Sequence, residues 1–182
     1  MKPQRIPVVL RPREVQLARF VAKIRNDAGI AAKADNGKHG NDLDSLERHI
    51  QGCLGEMACA KGLDRYWFGA GTTWEDDQDL GVEQVRMTPH HDGRLIIRPD
   101  DVAKPTIDHP WVLVVQHDLV RYDLCGWIIG RHGVRKEYES TPNDRPPAYF
   151  VPQDVFNAFP VVWTPPPPDD GLIHLTADDI PW

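Results

Sequence analysis

The chain has only three cysteines, Cys53, Cys59 and Cys125, in 182 residues. They form no CxxC pair and no even set, which excludes a disulfide framework. No second ligand pair accompanies His49 and Cys53, which sets aside a zinc site. Thiols on an apolar helix stripe act as small hydrophobic residues, so Cys53 and Cys59 are expected in a core, in a reducing compartment. No apolar run approaches the ~20 residues that cross a bilayer, and the apolar stretch from Val8 to Leu10 is too short for a signal peptide. The expected location is therefore cytoplasmic, with no membrane partner. A glycine-rich phosphate loop, a nucleophile elbow and internal repeats are all missing.

What is present is the balance of a globular protein: 41% hydrophobic and 26% charged residues, in a length suited to one domain. The net charge of −6 argues against a protein that coats nucleic acid non-specifically. The charge is uneven, however. Residues 1–40 carry nine basic side chains, including Arg19, Lys23 and Arg25, against three acidic ones. Such a basic arm can hold a phosphate backbone; a solvated helix face predicts the same composition.

Residues 12–34 read as a helix whose apolar side carries Leu17, Phe20, Val21, Ile24, Ala28 and Ala31. A second helix is expected over about 44–61, with a stripe of Leu43, Leu46, Ile50, Cys53, Leu54 and Met57 and a capping Asp42 or Asp44. Gly52 and Gly55 weaken that helix by ~1 kcal/mol each, and close approach of a strand is the expected reason. Beyond Gly62 the pattern becomes extended. Strands are expected over 82–87, 94–98, 111–115 and 124–129, with Asp92-Gly93 at the tip of a hairpin joining the first two. The run Trp111-Val-Leu-Val-Val reads as a central strand covered on both faces. A short helix is expected over 153–159. Four consecutive prolines (Pro165 to Pro168) then form an extended spacer before an acidic end. The organisation expected is a basic helical segment over 1–40, a core over 41–163 and a proline-rich, acidic tail over 164–182.

The chemistry-bearing residues follow the second helix. Glu56 lies near the edge of its stripe, Asp79 precedes the first strand, and Gln84 and Arg86 point to one strand face. If the helix packs on this strand, the four converge. Oxygen ligands beside a fixed cation are what metal-assisted phosphodiester cleavage needs. The order helix-borne Glu56, then Asp79, then Gln84-Val85-Arg86 resembles the PD-(D/E)XK nuclease superfamily, especially its small phage-type members, over roughly residues 43–160. That resemblance implies a restriction-endonuclease-like α/β core, with a mixed central sheet flanked by helices. It also implies Mg²⁺ (or Mn²⁺) held by Asp79, Gln84 and Glu56, and DNA as substrate. Asp77 is the alternative aspartate, and Glu83 serves only if the strand register shifts by one.

Two departures stand out. Gln84 replaces the usual acid and brings no charge; Arg86 replaces the usual lysine and stays protonated, so it steadies a phosphate but does not act as a base. Two functions are therefore expected: a metal-dependent deoxyribonuclease, or an inactive module of the same fold that binds nucleic acid, or a protein partner through its tail. Glu56 is also compatible with pairing to Lys61, and Arg86 with a salt bridge to Asp79 or Glu56. His90 and His91 are expected in an exposed turn, and no residue in the sequence orients His117 as a base.

Overall fold

The computed structural model describes residues 3–31, 45–69, 80–81, 83–141 and 146–160. It has mixed α/β architecture in three layers: two helices, a four-stranded mixed sheet and a three-stranded antiparallel sheet. The proline-rich tail, the expected caps Asp42 and Asp44, and Asp77 and Asp79 lie outside the described residues. Among the described residues no helix is long and apolar enough to cross a membrane.

The main sheet runs β1 (Ile6–Val9), β5 (Arg121–Ile129), β4 (Pro110–Gln116) and β2 (Gln84–Thr88) from edge to edge. β4 pairs parallel to β2 and antiparallel to β5. Trp111 through Val115 are all buried, which makes β4 the doubly covered strand that its unbroken apolar run implies. β1 was not legible as a strand. Its four residues pair with the outer edge of β5, and Val8 and Leu10 are buried. Residues 6–31 thus pack into the same body as the core rather than forming a separate arm.

The expected hairpin across Asp92-Gly93 forms only its turn, closed by Gly93 N donating to the carbonyl of His90 at 2.8 Å. The strands on either side part company: β2 joins β4, whereas β3 (Leu95–Ile97) enters the second sheet, beside β7 (Ala148–Val151) and then β6 (Glu139–Ser140). The helix expected over 153–159 is a single 3₁₀ turn, Gln153–Val155.

Helix α1 (Pro12–Ala31) lies against α2 (Ser45–Gly62). Its buried stripe differs from the expected one. Val15, Ala18, Val21 and Ala22 are buried, while Leu17, Phe20 and Ile24 are exposed. Small side chains at Ala18 and Ala22 let the two backbones approach, so close packing overrides bulk in choosing the inward face. α2 rests on the sheet through Gly55, where an added Cβ would stand 3.0 Å from that of Met87; Gly52 meets nothing comparable. One apolar cluster fills the space between helices and main sheet. A second, with Leu95, Ile97, Trp111, Leu113 and Val151, fills the space between the two sheets.

Candidate functional site

Strand alternation divides the expected site residues between the two faces of the main sheet. Val85 and Met87 pack in the helix-side cluster, so Gln84 and Arg86 point the other way. Glu56, on α2, lies on the helix side. The expected convergence of Glu56 with Gln84 and Arg86 is therefore not formed, because β2 stands between them. The acidic residue of β2's neighbourhood that shares the helix side is Glu83.

On the helix side, both carboxylates are tied to arginines. Arg25, on the buried stripe of α1, gives two bonds to Glu56, at 2.6 and 2.9 Å, and Trp67 Nε1 donates a third at 3.0 Å. Glu56 is 4% exposed, and its partner is Arg25 rather than Lys61, which pairs with Glu14 at 2.6 Å. Arg65 likewise binds buried Glu83 at 2.7 Å. Half-buried His49 sits within the field of this network. Burial, then the charges of Arg25 and Arg48, pull its pKa down against the opposing charge of Glu56.

The other face carries Arg86, with Arg98 following at the end of β3. Arg86 lies over the buried Trp111 ring, 4.6 Å from its centroid, and donates through Nη2 to Asp101 Oδ1 at 3.1 Å. Asp101 begins to explain the arrangement. It sits in the short helix α3 (Pro99–Val102), and its Oδ2 accepts the backbone N–H of Arg98 at 2.8 Å. One carboxylate thus orients Arg86 and fixes the residue that bears the second cation. Desolvation and the like charge of Arg86 lower the Arg98 pKa, against the pull of Asp101 and Asp100. The indole is anchored in turn, its Nε1 donating to Thr106 O at 2.9 Å. Arg86 pairs with Asp101 rather than with Glu56; Asp79, the other partner expected from sequence, lies outside the described residues. The signal for Asp101 was present only as one of two adjacent aspartates after Pro99.

A third constellation joins three distant segments. Asp123 Oδ2 accepts from Arg5 Nη1 at 3.3 Å and lies 2.9 Å from His117 Nε2. The same Arg5 nitrogen lies 3.0 Å from His91 Nδ1, and the two imidazole centroids are 6.2 Å apart. A guanidinium only donates, so His91 must accept at Nδ1 and, when neutral, carry its proton on Nε2. His117 does therefore have an orienting partner. Asp123 stands opposite Val115 in the β4–β5 register, which puts it diagonal to position 117, within reach of a long side chain. The sequence separation of six residues hides this until the pairing register is known.

Magnesium needs several converging oxygens. Gln84 and Asp101 are the oxygen donors placed with Arg86, and Glu56 and Glu83 are engaged by guanidinium groups on the far side of the sheet. Among the described residues no group of three or more His, Cys, Asp or Glu side chains is placed to hold a metal ion. The described residues therefore do not by themselves fit a Mg²⁺ site. What the arrangement provides is one oriented guanidinium, Arg86, and a second, exposed one at Arg98, whose backbone the same carboxylate holds; both suit an anionic oxygen. No protein-family model matches the chain, and neither a curated protein nor a solved structure matches it.

Proposed function

We propose that this protein is a nucleic-acid-binding module with a nuclease-like α/β core, which takes a backbone phosphate at Arg86 and Arg98. The observation that carries this reading is the Asp101 carboxylate, which holds the Arg86 side chain over Trp111 with one oxygen and accepts the backbone N–H of Arg98 with the other. A phosphate offers the two guanidinium groups a shared acceptor beyond the Asp101 carboxylate that already holds Arg86. Arginine suits the task because its planar fork matches phosphate oxygens.

A second reading, metal-dependent cleavage of DNA, is favoured by Gln84, Arg86 and Asp101 sharing one face. It requires further carboxylates from outside the described residues, and Asp77 and Asp79 belong to the acidic run Glu75, Asp76, Asp77, Asp79 that precedes Leu80 in the chain. One experiment addresses both. Fluorescence anisotropy of labelled DNA, titrated at several salt concentrations, should show binding that weakens with salt. Arg98→Ala should lower the log–log salt slope by about 1, the mark of one lost phosphate contact. Arg98 is exposed, so its removal should leave the fold intact. Absence of binding at low salt by the folded protein would overturn the reading. DNA cutting in Mg²⁺ or Mn²⁺ that Arg86→Ala abolishes would move it to the enzyme.

A further inference from the structure

We infer that the outer face of the three-stranded sheet is a platform for single-stranded nucleic acid, with a base stacked on Phe150 and flanking phosphates on Arg94 and Arg98. This rests on the reading that the protein binds nucleic acid, and it names the form of that ligand.

Leu95 and Ile97 are fully buried beneath β3, so Arg94, Ile96 and Arg98 alternate onto the outer face. Arg98 keeps this parity because its backbone is still extended, at φ −91° and ψ 160°. Antiparallel pairing sets Ile96 directly opposite Phe150, and directly opposed residues share a face. The face therefore reads cation, apolar and aromatic pair, cation, with the two arginines roughly 13 Å apart at the usual rise per residue.

An open hollow of 650 Å³ lies here, lined by Arg94, Ile96 and Phe150 and walled by the turn from His90 to Gly93, which contributes Asp92 as its one carboxylate. That wall is firmly held. Buried Gln153 donates from Nε2 to the carbonyls of His91 and Gly93, at 3.0 and 2.8 Å, while its Oε1 accepts from Arg5 at 2.9 Å. A preformed concavity loses little freedom when a ligand enters.

An aromatic ring between cations is the arrangement that binds unpaired strands, because every base has a face to stack whereas a duplex hides its own. The platform also continues into the phosphate cluster, since Arg98 belongs to both. A single strand laid along β3 would pass from Arg94 over Phe150 to Arg98.

The test uses the full chain and a labelled oligothymidylate, with a duplex of equal length as comparison. Wild type should bind the single strand more tightly than the duplex. Phe150→Ala should weaken single-strand binding roughly 5- to 100-fold, the range for loss of one stacked base. Phe150→Trp should restore it, and Arg94→Ala should lower the salt slope by about 1. Phe150 is only half-buried; should the alanine variant fail to fold, Phe150→Trp and Arg94→Ala still decide. Wild-type-like affinity in the Phe150 and Arg94 variants, with Arg98→Ala still weakened, would overturn the platform and leave the phosphate site standing. Preference for duplex would also overturn it. Absence of all binding would instead remove the nucleic-acid reading on which it rests.

Discussion

Arg25 and Glu56 are charged residues on the two helix stripes that pack together, one from each helix. Taking either out of water is costly, and the cost is met by two direct bonds plus the Trp67 N–H. Removing one member of such a pair leaves the other buried and uncompensated, which typically costs 3–5 kcal/mol. Glu56→Ala is accordingly expected to destabilise the fold by about that amount in urea unfolding. Loss of the exposed Lys23–Asp27 pair should cost no more than about 0.5 kcal/mol. Equal small effects would refute the assignment of Glu56 to a buried, structure-bearing pair.

His49 adds a pH dependence to the same network. Its pKa is lowered in the folded protein, so on acidification the unfolded chain takes up the proton first. Stability contributed by the neutral imidazole is complete above its ordinary value of about 6.5. It falls as pH drops through the interval between that value and the lower folded one. His49→Gln should flatten the stability–pH curve in this window, as read from melting temperatures at pH 5 to 8; an unchanged slope would assign it elsewhere.

At the scale of elements, the position of α2 over β2 depends on one absent side chain. Gly55 approaches Met87 so closely that a Cβ would already be tight, and a branched residue has nowhere to go. Gly55→Val is expected to cost 1–3 kcal/mol or more through overpacking, with Gly52→Ala neutral or stabilising because nothing lies near it. Comparing the two variants by thermal unfolding separates packing from helix propensity, which favours both substitutions. The opposite ranking would mean that α2 does not rest on the strand here.

The alternation of β2 is legible from sequence, and so is the shared face of Gln84 and Arg86. Which of its faces meets α2 is not. Parity says that Glu83 and Arg86 point apart; the choice of the inward face is made by Val85 and Met87 finding the helix. A shift of one residue would have brought Gln84 and Arg86 to Glu56, so the nuclease-like convergence turns on a register that local pattern leaves open.

On the scale of the whole molecule, the N-terminal strand completes the main sheet. Val8 and Leu10 enter the helix-side cluster, and Leu10 N donates to Val120 O at 2.8 Å. Deleting residues 1–11 should lower stability by roughly 3 to 6 kcal/mol, the burial worth of two large aliphatic side chains, and bare the outer edge of β5 to association. Denaturant midpoints and light scattering measure both effects. A truncated chain as stable and monodisperse as the full one would show that β1 is dispensable.

The two long helices, the turn at Asp92-Gly93 and the buried central strand β4 were all readable from residue order, because each is set by a short-range period of 3.6 or 2 and by local turn chemistry. Three matters were not readable: that β2 and β3 leave their shared turn for different sheets, that Arg86 finds Asp101, and that Asp123 orients His117. Each depends on partners brought together by the pairing register, and a short apolar strand carries no label saying which edge it will meet. Local order decides what each segment becomes; the side of the sheet on which its chemistry lands is decided by packing between segments far apart in the chain.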